Sequence, residues 1–550
     1  MVNPMNARYS FRGIVCYLAL LGGLRIAHLP AVAQTPGTPP DARSPITVID
    51  AYQNRVDLPI AQPPSTIDLT GAKQLFVDDW VVEKLTGLTR TFYSAVKHPG
   101  NPLLKPERPW EQPAVLLSGT VMHDPARGED RFRVWYLCYA PQHKADFGGV
   151  LKKEGRIAYA VSADGLRWHR PVLGLHEFNG SRDNNIVIPG PYGFPGVILD
   201  PRDPDPQRRY KAHARTSRGH TAYFSADGIH WGEPQVMKLD GYDRSSVHWD
   251  PVRENWFAST KSWFRTEPDA TPWRGRGYQS SGDYLKFAGR ALYLAGTTPH
   301  SDELVYALEP FYYETLYLGI WARYRHEPDG LLDPQLAVSR NGLHWDRPTS
   351  AALVPLSRLP EDFTRRRTLG SPETGVDPFD PRVPWDYGNT NVNILGPLRV
   401  ADELWIYYSG RSSDHRSSPQ TGAIGLATLR LDGFASLDAS DEGTLVTRPM
   451  RLTSGPLRLN ADAAGGELRV EILDQMQRPI APFTLANCDV VTSNGLRHTI
   501  SWNDDPDLSA LQGNTIRLRI VLRRAKLFAF WVGGERTWHT PDTMTWRVTQ

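Results

Sequence analysis

Ser162-Ala-Asp-Gly-Leu-Arg-Trp168, Ser225-Ala-Asp-Gly-Ile-His-Trp231 and Ser339-Arg-Asn-Gly-Leu-His-Trp345 are one short turn written three times. A worn copy, Ser281-Gly-Asp-Tyr-Leu-Lys-Phe287, keeps the Ser, the Asp and the closing aromatic, and a fifth survives as Asp432-Gly433-Phe434. The acidic or amide positions Asp164, Asp227, Asp283, Asn341 and Asp432 fall 63, 56, 58 and 91 residues apart. Repeats of roughly this length, each with four strands' worth of sequence, are the mark of a β-propeller, and the copies number five blades. The turn is structural: Asp-Gly or Asn-Gly supplies a left-handed position, and the acid caps its own backbone.

A second repeated element stands ahead of each turn. Apolar runs end in His123-Asp-Pro125, Leu199-Asp-Pro201, Trp249-Asp-Pro251 and Leu308-Glu-Pro310, and a strongly aromatic strand follows each. The expected order within a blade is inner strand, Asp-Pro turn, aromatic second strand, third strand, Asp-Gly turn, outer strand. All inner strands of a propeller run the same way along the axis. The Asp-Pro turns therefore gather on one face, and the residues preceding the inner strands gather on the other. Asp124, Asp200 and Asp250 read as turn formers.

Around the repeats the texture changes twice. Arg8 and Arg12, an apolar stretch from Gly13 to Leu24 and Ala31-Val-Ala33 read as an export signal over residues 1–33, which predicts a periplasmic or extracellular protein. A Pro-rich leader is expected over 34–70, the propeller over 71–444 and a further domain over 445–550. In that last part Leu468, Val470 and Ile472 alternate with Arg469 and Glu471, and Leu518, Ile520 and Leu522 alternate with arginines. Period-two alternation between Gly-rich turns predicts an antiparallel β-sandwich. The whole chain reads as all-β: a five-bladed β-propeller followed by a β-sandwich domain. Past the export signal no segment reads as membrane-spanning.

With 62 basic and 60 acidic residues, total charge gives no reason to expect a nucleic acid partner. The 17 Trp and 22 Tyr fill cores, and such a supply also suits a groove that stacks against sugar rings. Cys138 and Cys488 fall in different expected domains and read as two buried thiols rather than a disulfide. No zinc spacing is present. No cofactor is expected; the acids would allow a structural calcium ion, though no spacing demands one.

The chemistry-bearing pattern is the set of acids before the inner strands: Trp110-Glu111 before the first, Tyr242-Asp243-Arg244 before the third, Asp302-Glu303 before the fourth, and Trp385-Asp386 with Asn389 before the fifth. The second offers Gly190-Pro-Tyr-Gly-Phe-Pro195, without an acid. Carboxylates crowded into one low-dielectric mouth shift each other's protonation, so one can serve as acid while another serves as base or nucleophile. Glycosidic bond cleavage needs that division. Each acid could equally be a loop residue with a local capping role.

The stretch Lys97-His-Pro-Gly-Asn-Pro102, then Trp110-Glu111 and Val134-Trp-Tyr136, resembles the opening of five-bladed propellers of glycoside hydrolase families 32 and 43. The serial Ser-x-Asp-Gly-x-x-Trp turns are similar to those of secreted bacterial members, and the chain after 445 resembles the β-sandwich commonly appended there. The resemblance implies three acids on the first three blades. Glu111 matches the first position as Glu in place of Asp, Asp243 matches the third with its carboxylate type also exchanged, and the second is vacant.

Three functions follow as expectations. The first is an exported glycoside hydrolase acting on a poly- or oligosaccharide as a monomer. Its catalytic residues would be Glu111, Asp243, Asp386 and Asp302, with Trp110, Arg244, His248, Trp249, Trp385 and Asn389 binding sugar. The second is a non-catalytic carbohydrate-binding propeller. The third is a lyase or phosphorylase in which Arg244, Arg274 or Arg276 holds an anionic group.

Overall fold

Among the described residues strands follow one another, and the helical elements are short 3-10 turns. The computed structural model describes residues 46–548 apart from 50–54, 59, 70, 142–152, 191–195, 243, 266, 270–271, 294–302, 327–328, 364–379, 393–395, 416–420 and 539–545. The expected export signal, the start of the leader, Asp243 and Asp302 lie outside the described residues.

Blades 1, 2 and 3 keep the expected strand order. Blade 1 comprises Ala114–His123, Phe132–Pro141, Lys153–Ser162 and Ile186–Pro189; blade 2 comprises Gly196–Leu199, Tyr210–Thr216, Gly219–Ser225 and Gln235–Val236. Blade 3 is built from Ser246–Asp250, Asn255–Phe264, Trp273–Ser281 and Ala288–Tyr293. Blade 4 has Glu303–Tyr313, Leu316–Arg325 and Leu332–Ser339, with Ala352 and Asp346 bridged to its third strand. Blade 5 has an inner strand in two pieces, Asn389–Val392 and Leu398–Val400, then Glu403–Arg411 and Ala423–Arg430. Its outer strand is Val96–Lys97, supplied from far upstream and paired antiparallel with Ala427 and Thr428.

The repeated turns fold as their chemistry dictates. In the first, Ser162 Oγ accepts from Gly165 N at 2.8 Å, and Asp164 Oδ1 accepts from the backbone N–H of Leu166 and Arg167 at 2.9 and 2.8 Å. The second copy repeats these bonds with Ser225 and Asp227. Partial burial pulls the Asp164 carboxyl upward, but the backbone donors outweigh it and hold the group at about 2. Gly165 and Gly228 sit at φ 73° and 81°, and each meets an aromatic of the preceding blade. Tyr407 of blade 5 donates to Gly165 O at 2.8 Å, and Trp135 of blade 1 donates to Gly228 O at 2.7 Å. These equivalent bonds tie blade 5 to blade 1 and blade 1 to blade 2.

Two details of the repeat differ from the sequence reading. Leu308-Glu-Pro310 is not a turn: the inner strand runs on to Tyr313, and the reversal falls at Glu314, with φ 55°. The fifth turn acid, Asp432, leaves the capping role altogether. It is fully buried and accepts from Lys73 Nζ at 2.9 Å, Tyr313 Oη at 2.6 Å and Asn460 Nδ2 at 3.1 Å.

The sandwich packs two sheets through Leu459, Leu527 and Phe530 on one side and Leu468, Val470, Ile472, Leu518, Ile520 and Leu522 on the other, all essentially inaccessible. The alternating residues face the core as their period demands. These sheets also contain Ile67–Asp68, Gln74–Leu75, Val82–Thr86 and Thr89–Phe92, so their strands are drawn from both sides of the propeller. Cys138 and Cys488 are free, buried thiols.

Candidate functional site

The acids before the inner strands of blades 1 and 5 share one construction. Glu111 closes a 3-10 turn, Pro109–Glu111, three residues before the strand, and its side chain is fully buried. Its Oε2 accepts from the backbone N–H of Glu107 and Arg108 at 2.9 and 3.0 Å, and its Oε1 accepts from Tyr136 Oη at 2.6 Å and Arg170 Nε at 2.7 Å. Burial opposes the Arg170 charge, yet the bond to Glu111 outweighs it and raises that group. Asp386 likewise stands three residues before Asn389, with no measurable exposure. Its Oδ2 accepts from Tyr408 Oη at 2.9 Å and Lys97 Nζ at 2.6 Å, and its buried Oδ1 has no hydrogen-bond partner among the described residues. Burial first, and then the Asp386 charge, drive the Tyr408 hydroxyl well up, so it remains a donor. An acid, a second-strand tyrosine and a base thus recur in two blades. The two carboxylates share no partner, and each sits sealed against its own blade.

The aromatics beside them are equally occupied. Trp110 donates to Asn185 Oδ1 at 2.8 Å and meets the Phe178 ring edge-on. Trp385 stacks on Tyr408 at 5.4 Å. Trp249 lies at the far end of its strand, on the face of the Asp-Pro and Asp-Gly turns. There it lines a pocket of about 830 Å³ with Asp200, Lys211, Glu254 and Asp283, and Arg202 covers its ring at 3.2 Å. Trp249 therefore lies on the opposite face from Trp110 and Trp385, which stand before inner strands.

A different set does converge at the mouth. Arg244, before the inner strand of blade 3, donates from Nη2 to Asn391 Oδ1 of blade 5 at 3.0 Å, and Asn391 Nδ2 donates to Asn389 Oδ1 at 2.7 Å. This reach crosses the inner strand of blade 4, where the Arg244 guanidinium lies 5.3 Å from the Tyr306 ring. Arg274 lies 4.8 Å from the same ring and donates to Tyr306 O at 2.8 Å, and His415 meets the ring edge-on at 4.6 Å. Tyr306 sits at a register shift between Val305 and Ala307, and such bulges re-aim a side chain. Arg244 itself holds φ 57°, a conformation that costs energy for a non-glycine residue and collects at functional sites. Asp243 is the chain neighbour of Arg244, and Asp302 that of Glu303, whose Oε1 accepts from Arg323 at 3.0 Å.

Behind this cluster lies a polar layer between blades 3 and 4. Ser246 Oγ and His248 Nε2 are 2.7 Å apart, and the same ring nitrogen is 3.5 Å from Glu309 Oε2. Burial would raise the Glu309 carboxyl, but the adjacent His248 ring and the Arg244 charge outweigh it and hold it low. Both contacts use one ring nitrogen, so the trio is a buried support rather than a proton relay. Blade 2, which offers no acid, instead places His213 Nε2 3.0 Å from His220 Nδ1. Burial and then Arg215 lower the His220 ring to about 4.

Tyr306, Asn391, His415 and Glu309 were not singled out by sequence reasoning. Glu309 was hidden by its Leu-Glu-Pro context. Tyr306 and Asn391 lie inside strands, where no local spacing marks them. Among the described residues no group of three His, Cys, Asp or Glu could hold a metal ion, and no helix is long and apolar enough to cross a membrane.

No protein-family model and no curated protein matches the chain. Solved structures do. The β-1,2-mannobiose phosphorylase of Listeria innocua is 13% identical, with TM-score 0.38 over 62% of this chain and 98% of its own. An N-acetylgalactosamine deacetylase of F. plautii is 13% identical, with TM-score 0.38 over 64% and 97%. The exo-β-1,3-galactanase of Phanerochaete chrysosporium is 8% identical, with TM-score 0.30 over 81% and 100%.

Proposed function

We propose that this chain is an exported glycoside hydrolase that cleaves a poly- or oligosaccharide at the axial mouth of the propeller. Asp243 and Asp302 form the acid/base pair in this reading, and Glu111 and Asp386 act as structural anchors. The observation that supports it is the convergence of Arg244, Tyr306 and Asn391 from three blades on one point. Asp243 is the chain neighbour of Arg244, and Asp302 directly precedes in sequence the inner strand of blade 4, Glu303–Tyr313, that carries Tyr306. Arg244, Arg274 and Asn389 would orient the sugar.

Asp243→Asn and Asp302→Asn test this, measured on the polysaccharide that the wild type hydrolyses best. Each should lower turnover by about 10²–10⁴ with an unchanged melting temperature. Full activity in both variants would remove the assignment. Two guanidinium groups on one tyrosine ring favour a second reading, phosphorolysis, in which Arg244 and Arg274 hold an oxyanion. It requires that sugar phosphate form only when inorganic phosphate is added.

A further inference from the structure

Among the described residues, two aromatic side chains stand exposed, Tyr242 at 54% and Trp263 at 38%. Both belong to the mouth end of blade 3. Trp263 lies on the second strand of blade 3, at the end of that strand nearer the mouth, and Tyr242 precedes the inner strand of the same blade. Lys261, two residues before Trp263 on the same face, places its ammonium 6.0 Å from the Tyr242 ring. Ser245 Oγ donates to Tyr242 O at 2.8 Å and accepts from Lys261 N at 3.4 Å, which fixes the Tyr242 backbone against the strand. Across the sheet Trp263 is paired with Arg274, whose guanidinium rests on Tyr306. A continuous strip therefore runs from the exposed rings into the axial cluster. Single exposed apolar residues are ordinary, but the two exposed rings falling together beside the mouth are not scatter.

We propose that Tyr242, Lys261 and Trp263 form a distal subsite that binds pyranose rings of a polysaccharide chain beyond the bond being cleaved. This rests on the reading of the mouth as a carbohydrate site. Pyranose rings present flat C–H faces that stack on aromatic rings, and Lys261 reaches the Tyr242 ring from the strand that carries Trp263. Lys261 brings a donor to the sugar hydroxyls. A single-stranded nucleic acid also stacks on aromatics, but the near balance of 62 basic and 60 acidic residues does not favour it.

Native affinity electrophoresis tests the subsite without requiring turnover. Xylan, galactan, glucomannan and a single-stranded DNA homopolymer serve as probes, with wild type, Tyr242→Ala and Trp263→Ala as proteins. At least one polysaccharide should retard the wild type, and each variant should lose about tenfold in affinity for it at an unchanged melting temperature. On oligosaccharides of that polymer, kcat/KM should fall about tenfold for hexamers and stay unchanged for dimers. Retention of both variants equal to wild type, retardation by no polysaccharide, or equal retardation by DNA would overturn the proposal. A wild type that is retarded but never cleaves the polymer would overturn the hydrolase reading and leave the subsite standing. Loss of turnover in Asp243→Asn with unaltered binding in the rim variants would do the reverse.

Discussion

Replacing Glu111 by alanine separates an anchor from a catalyst. The substitution removes four hydrogen bonds at once and leaves Tyr136 Oη, Arg170 Nε and two backbone N–H groups without this acceptor, in a place with no measurable exposure. Arg170 keeps its pair with Glu107 at 3.0 Å, so the loss is that of the bonds to the buried carboxylate, together about 3–5 kcal/mol at roughly 1.5–3 kcal/mol for each well-buried charged bond. At roughly 2 °C per kcal/mol, the slope for a long chain, the melting temperature should fall by about 6–10 °C. Glu111→Gln keeps one acceptor oxygen and turns the other position into a donor, so its loss should be intermediate. Differential scanning calorimetry gives the midpoints, and hydrolysis per folded molecule at a temperature well below both gives the turnover. An anchor predicts a lowered midpoint with turnover within about twofold of wild type. A midpoint within a degree of wild type combined with abolished turnover would refute the reasoning and return Glu111 to the chemistry.

Further outcomes follow from other parts of the molecule. Burial first, and then the neighbouring Asp432 and Glu535 carboxylates against the pull of Lys73, raise Glu314 to about 7. Its stabilising contribution is complete below the unfolded value near 4.5 and is lost as pH rises through 7. Glu314→Gln should therefore flatten the decline in melting temperature between pH 5 and pH 8, a difference of up to about 3 kcal/mol. Glu535 behaves oppositely: burial would raise it, but Lys73 and then Arg497 hold it at about 2, so its contribution is present above pH 4.5 and disappears as pH falls through 2. Acid titration of Glu535→Gln by circular dichroism should show that lower window removed. Gly165→Ala should be strongly destabilising in chemical denaturation, because φ is 73° and a Cβ would stand 2.5 Å from Tyr407 Oη. Tyr407→Phe should cost only about 1 kcal/mol, the worth of one hydrogen bond.

The blades were legible because their turns are local chemistry. Ser-x-Asp-Gly dictates its own hydrogen bonds whatever surrounds it, and four of the five copies fold that way. The sandwich core was legible for the same kind of reason, since alternation alone decides which side of Leu468–Ile472 is buried. What failed to show were relations between distant segments. Val96–Lys97 and the strands between 67 and 92 carry no mark of partners more than three hundred residues away. The Trp-acid pairs before two inner strands resembled a catalytic set, yet each was answered by a tyrosine on its own second strand, Tyr136 or Tyr408. That correspondence is present in the sequence as a repeat, and the anchor role proposed above for both acids rests on it. The mouth itself depends on Arg244 reaching across one blade to the next, which no spacing encodes.

Blade 5 takes its edge from Val96–Lys97 while its other strands lie beyond residue 388. A ribosome adding about 5–20 residues per second needs roughly 15–65 s to travel that interval. Through all of it the strands between Ile67 and Lys97 wait for their sheet partners, and the nascent chain carries an unsatisfied end like an open clasp. Truncation anywhere after blade 3 should therefore damage both extremities of the molecule at once.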